Sequence, residues 1–229
     1  MPMLKIITTF SLMLFVFAMT AAAQDAPDFS RWEKSMTEFE GRDKSTPQGE
    51  GKVLFIGSSS IRMWKTLAED MAPHAVINRG FGGSQIEDSI HFADRIIFPY
   101  KPSAIFIYAG DNDIAAKKTP ERVARDFKRF HALIQTEMPG TPVYFIAIKP
   151  SRRRWEMWPD MLKANALIER YISQSKNAVY VDTSSPMLDE NGEVMNKLFI
   201  EDMLHMNAEG YSIWTSIVKP RLDAMSLIK

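Results

Sequence analysis

Five short runs of consecutive apolar residues, separated by stretches with helical periodicity, constrain this chain more than any other feature. They are Val53–Ile56, Ala75–Ile77, Ala104–Tyr108, Val143–Ile148 and Ala178–Val181. A strand that is apolar at every position, and not only at alternate ones, has to be covered on both faces. The stretches between supply the cover. Residues from Ser60 to about Leu67 have a helical pattern. Thr119-Pro120 opens a longer helix whose Val123, Phe127, Phe130 and Ile134 share one face, and Pro139-Gly140 closes it. Met161, Leu167, Ile168 and Tyr171 fit another, and Asn207 can cap a last one carrying Tyr211, Trp214 and Val218. Alternation of this kind builds a parallel sheet between two helical layers. The expectation is an α/β protein, a three-layer α/β/α sandwich over residues 52–229.

Ahead of that domain the sequence changes character twice. Lys5 precedes an apolar run from Ile6 to about Met19, and Ala21-Ala22-Ala23 then leads to Gln24. A basic start, an apolar middle and an A-x-A end read as a secretory signal over residues 1–23, cleaved after Ala23. The run is shorter than the roughly 20 residues a membrane-spanning helix needs. The expected location is therefore secreted or periplasmic, with no membrane span once the signal is gone. Residues 24–51 form a separate lead-in. There Ser30-Arg31-Trp32-Glu33 has capping-box spacing, Trp32, Met36 and Phe39 make one helical stripe, and Pro47 with Gly49–Gly51 marks a loop.

Charge and cysteine content exclude several function classes. Removing residues 1–23 takes Lys+Arg from 28 to 27 against 28 Asp+Glu, a formal charge of −1. A surface without cationic excess is not that of a nucleic-acid binder, whose affinity rests on many phosphate contacts. The chain has no cysteine. Disulfides, thiolate metal ligands, a Cys nucleophile and a lipidated cysteine at the cleavage point are thereby excluded.

Ligands of open α/β sheets bind beyond the carboxyl ends of the strands, and four polar clusters fall at or near such ends. They are Gly57-Ser58-Ser59-Ser60, Asn78-Arg79-Gly80-Phe81-Gly82-Gly83, Gly110-Asp111-Asn112-Asp113 and Asp202-Met203-Leu204-His205. Each alone fits an ordinary turn or cap. Together they hold every group that acyl transfer needs. A serine hydroxyl becomes nucleophilic when an imidazole takes its proton, and the imidazole needs a carboxylate to hold its tautomer. Asp202 and His205, three apart, can pair on one turn while His205 faces a serine. Donors for the developing oxyanion can come from the Ser59 and Gly83 backbone N–H groups and the Asn112 side chain. His74, His91 and His131 lie away from the clusters and read as structural.

At these residues the sequence resembles the SGNH hydrolases, also called GDSL esterases and lipases. Phe55-Ile56-Gly57-Ser58-Ser59 is similar to the first family block, which implies Ser59 as nucleophile. Gly83 stands where the family has its oxyanion-hole glycine, and Gly110-Asp111-Asn112-Asp113 matches the third block at Asn112. Asp202-Met203-Leu204-His205, followed by Asn207 and Gly210-Tyr211, matches the last. One departure is Ser58, where the family usually has Asp; with three serines in a row, Ser58 and Ser60 stand as neighbouring candidates. The resemblance implies a five-stranded parallel sheet of flavodoxin-like topology, a catalytic Ser59, Asp202 and His205, an ester substrate, and neither cofactor nor metal. Other hydrolase and nucleotide-binding patterns fail: Ile61 stands where G-x-S-x-G needs glycine, and Gln85 where G-x-G-x-x-G does.

The expected substrate is a small-molecule or carbohydrate ester, with lysophospholipid esters, or a catalytically inactive extracellular binding module, as alternatives. The loop Lys149-Pro150-Ser151-Arg152-Arg153-Arg154-Trp155, with Trp158, should overhang the same rim. Arg152, Trp155 and Trp158 are candidates for substrate binding, the tryptophans as a sugar platform and the arginines for an anionic group. The plainer reading has the tryptophans packing the loop down while the arginines face water.

Overall fold

The computed structural model describes residues 28–226, so the secretory-signal reading of residues 1–23 lies outside the described residues. The five strands are β1 (Val53–Gly57), β2 (Val76–Gly80), β3 (Ala104–Tyr108), β4 (Val143–Ile146) and β5 (Ala178–Val181). They form one parallel sheet in the order β2-β1-β3-β4-β5. The order reverses at β1, so β1 and β3, adjacent in the sheet, have connections that leave in opposite directions. That is where such sheets open a crevice at their carboxyl edge.

Alternate residues of the central strands enter two separate cores, as the strand period of two requires. Leu54, Ile56, Ile105, Ile107 and Phe145 meet α1 (Glu33–Ser45), α7 (Pro120–Glu137) and α8 (Trp158–Ser173) on one face. Val53, Phe55, Phe106, Tyr108 and Ile146 meet α2 (Ser59–Arg62), α3 (Leu67–Asp70) and α9 (Ala208–Ser226) on the other. Every residue of β1, β3 and β4 is buried, while the edge strand β5 is only partly so. Asn207 accepts the Gly210 N–H at 3.2 Å and starts α9.

Four local expectations change. The helix after the first serine block is two pieces, α2 and α3, with a break between Arg62 and Leu67. Ser30 does not cap: its hydroxyl donates to Asp28 Oδ1 at 2.6 Å, and a single 3-10 turn precedes α1. Strand β4 ends at Ile146, two residues early, because Ile148 N–H and C=O pair with the Asn165 amide and not with a neighbouring strand. Two short helices, α4 (Ile86–His91) and α5 (Ala93–Ile96), cross from β2 to β3 in a stretch to which the sequence pattern assigned no element. α6 (Asp111–Ala115) completes the helices, and no helix among the described residues is long and apolar enough to cross a membrane.

Candidate active site

The strand ends deliver the four clusters to one rim. β1 closes with Gly57, whose φ is +114°; a Cβ there would sit 1.9 Å from the Tyr108 carbonyl oxygen, so only glycine lets β1 end against β3. The chain then turns into α2. Ser59 is its first residue, so its N–H belongs to the first turn and has no carbonyl behind it in the helix. Ser58 and Ser60 are buried, and the structure brings neither to the histidine.

Ser59 Oγ lies 2.8 Å from His205 Nε2, and His205 Nδ1 lies 2.5 Å from Asp202 Oδ2. The other Asp202 oxygen accepts the N–H groups of Leu204 and His205, both at 2.9 Å. Partial burial pushes the Asp202 carboxyl up, but the His205 backbone N–H, its ring and the Leu204 N–H outweigh it and hold the group at about 2. An ionised carboxylate can only accept, so His205 Nδ1 carries the proton and Nε2 is free to take one from Ser59.

Across from this chain stand the donors. Gly83 has φ +79°, which turns the loop after β2 back toward Ser59, and a Cβ there would come within 3.3 Å of the Trp32 ring. Asn112, in α6, donates through Nδ2 to the Ser84 carbonyl at 3.0 Å. Ser59, Gly83, Asn112 and His205 share one open cleft of about 570 Å³. Such a chain of groups can pass a proton off a hydroxyl and hold a negative oxygen beside it.

The outer part of the cleft differs from expectation. Arg152 points to Glu193 at 3.3 Å, Trp158 is buried in the core, and Trp155 stacks on Trp158 with ring centroids 6.2 Å apart. None of the three lines the cleft with Ser59, so the tryptophan platform gives way to the plainer packing role. Arg154 and Trp32 line it instead. Trp32 had been read from the sequence only as part of a packing stripe; its approach to Gly83 comes from the docking of the lead-in. The remaining histidines hold other contacts: His74 to Asp223 at 2.7 Å, His131 to Tyr171 at 2.9 Å, and His91 stacked on Phe29. Among the described residues, no group of three or more His, Asp or Glu side chains is placed to hold a metal ion.

Residues 45–213 match the GDSL-like Lipase/Acylhydrolase family. The chain belongs to that family. It is accordingly an ester hydrolase of the SGNH/GDSL kind with the family's α/β/α fold. No curated protein matches the sequence. Among solved structures it is similar to a GDSL-like lipase from Bacteroides thetaiotaomicron, at 20% identity and a TM-score of 0.70, covering 86% of this chain and 100% of the other. It is also similar to a catalytic mutant of an acetylxylan esterase from Geobacillus stearothermophilus, at 14% identity and a TM-score of 0.61, covering 74% of this chain and 93% of the other. Identities this low speak to the fold.

Proposed function

We propose that this family member is a serine esterase with Ser59 as nucleophile, His205 as general base and Asp202 as the group that orients it. The observation that carries the reading is the unbroken hydrogen-bonded run from Asp202 through His205 to Ser59, facing Gly83 and Asn112. Ser59 Oγ attacks the ester carbonyl carbon as its proton passes to His205 Nε2. The carbonyl oxygen becomes an oxyanion beside the Ser59 and Gly83 N–H groups and the Asn112 amide. The intermediate collapses when His205 gives its proton to the leaving alcohol, which departs and leaves an acyl group on Ser59. Water then repeats the sequence and frees the acid. Hydrolysis of p-nitrophenyl acetate tests this directly. Ser59→Ala should lose at least about 1000-fold in kcat, while Ser58→Ala and Ser60→Ala keep a Ser59-dependent rate. An undiminished rate in folded Ser59→Ala rejects the reading.

For substrate, we propose short acyl esters, acetylated carbohydrate first among them. The cleft is open, and apart from Trp32, Leu204 and two glycines its lining is polar. A polar, open wall suits a hydroxyl-rich alcohol and a small acyl group better than a long chain that needs burial. The structural likeness to an acetylxylan esterase supports this choice. Parallel assays on acetylated xylo-oligosaccharides, short p-nitrophenyl esters and lysophospholipids decide it; fastest turnover of lysophospholipid would replace the carbohydrate reading. We further propose export, on the residues 1–23 pattern. The mature protein should begin at Gln24 and be found outside the cytoplasm; an intact Met1 start on all of the protein would reject it.

A further inference from the structure

We propose that Arg154 is a positioning residue that sets the polarity of the oxyanion pocket by fixing the Asn112 amide. The proposal builds on the esterase reading of the site. Arg154 Nη2 donates to Asn112 Oδ1 and Nη1 donates to Asp111 Oδ2, each at 2.9 Å. A guanidinium has no acceptor atom, so whatever end of an amide faces it must be the oxygen. Nδ2 is thereby turned the other way, giving one hydrogen to the Ser84 carbonyl and keeping the second for the cleft it lines. With the amide reversed, its NH₂ would face the guanidinium and its oxygen would face both the Ser84 carbonyl and the developing oxyanion. Arg154 thus decides whether this position attracts or repels negative charge.

Asp111 makes the arrangement stable. Its carboxylate is nearly buried and balances the guanidinium, which is itself only 16% exposed. At the cleft wall the arginine is therefore held as a fixed fork, its two terminal nitrogens bonded to neighbouring residues. The same loop grips the other half of the site. Arg153 N–H donates to the Met203 carbonyl at 3.0 Å and Lys149 Nζ to the Leu204 carbonyl at 2.6 Å, both on the turn that carries His205. Residues 149–154 form a brace with one end on the oxyanion donor and the other on the base. The stacked Trp155 and Trp158 seat that brace on the core.

The experiment is a double-mutant cycle on p-nitrophenyl acetate with an independent spectroscopic arm. Arg154→Ala should lower kcat about 10- to 100-fold with KM within about twofold, and Asn112→Ala about 100- to 1000-fold. The double variant should be no slower than Asn112→Ala, because the arginine acts through the amide. Arg154→Lys keeps a charge beside Asp111, and with it the fold, but one ammonium does not reproduce the fork; its kcat should lie between wild type and Arg154→Ala. Losses that multiply in the double variant, or a raised KM with intact kcat, overturn the proposal. In NMR spectra, the Asn112 side-chain amide pair, identified by its loss in Asn112→Ala, should be dispersed in the wild type and collapse toward free-amide shifts in Arg154→Ala. An unmoved pair rejects positioning by Arg154 whatever the ester assays give. Absence of Ser59-dependent turnover with the collapse intact would instead reject only the esterase reading.

Discussion

Asp202 shows how much one carboxylate does when its two oxygens have separate tasks. Oδ1 holds the turn through two backbone N–H groups, and Oδ2 holds the His205 ring. In Asp202→Asn the side-chain oxygen can keep the turn, but the amide NH₂ then faces Nδ1 and moves the imidazole proton to Nε2, where it blocks the base. We expect kcat to fall about 10⁴-fold in a protein that stays folded at the assay temperature but melts somewhat earlier, since the neutral amide gives up the stability of the ionised carboxylate; steady-state kinetics beside a thermal melt checks both, and a loss in kcat below tenfold would contradict the assigned role. The sign of the acid response follows from the same contacts. With its carboxyl held near 2, against a usual 3.8, Asp202 adds stability above pH 3.8 that is lost as pH falls toward 2. The four polar clusters were legible in the sequence because each falls near a strand end, and Asp202 with His205 by their spacing of three, whereas Ser59 among three serines and Gly83 were singled out by the family resemblance. Arg154 was not legible. Arg152, Arg153 and Arg154 are chemically alike in the sequence, and only the extended Ser151 followed by a non-helical Arg154 backbone aims the third one inward.

The helix α1 is the element whose role the sequence least disclosed. Its periodicity announces a buried stripe, and Met36 and Phe39 are buried as that requires. What fixes its position is polar and distant in sequence: Asp43 pairs with Arg79 near the end of β2, and Tyr100 donates to Asp43 at 2.5 Å. Burial, followed by the bond to Asp43, pushes the Tyr100 hydroxyl up to about 12, so this linkage stays protonated through neutral pH. Docked in this way, α1 and the turn before it bring Trp32 to the cleft wall, although residues 28–44 precede the matched family region. Trp32→Ala should then raise KM for an acetylated xylo-oligosaccharide about 3- to 10-fold, the worth of one aromatic contact. On p-nitrophenyl acetate, which is too small to span the cleft, KM should hardly move. Equal shifts on both substrates would mean that the helix only supports Gly83. The short helices α4 and α5 escaped the sequence for a different reason: neither is long enough to display a helical period, and Gln85 with Asp88 caps a stretch that otherwise reads as loop.

At the scale of the molecule, the sheet was legible because burial on both faces leaves a plain signature, whereas the order of its strands was carried only by resemblance. The order matters for function because it sets β1 and β3 side by side, with the β2 loop on one flank and the β4 loop on the other, so residues far apart in sequence meet at one rim. The β4 loop meets it at the cost of a buried cation. Lys149 is 2% exposed, sits 5.2 Å above the Phe199 ring, and is held down to about 8 by burial, with Asp111 pulling the other way. In the unfolded chain the same amine titrates near 10.5. The folded protein therefore binds fewer protons than the unfolded one between pH 8 and 10.5, and stability from this group rises across that window and is lost as pH falls through 8. The neutral amine still donates to the Leu204 carbonyl, so the brace survives the change. Lys149→Met keeps the length and the apolar stem but has nothing to titrate. The difference in melting temperature, wild type minus variant, should grow from pH 7 to pH 10 in paired thermal melts. A difference that stays level, or shrinks, would mean that Lys149 is charged in the folded protein throughout and that its ammonium, not its amine, holds the His205 turn.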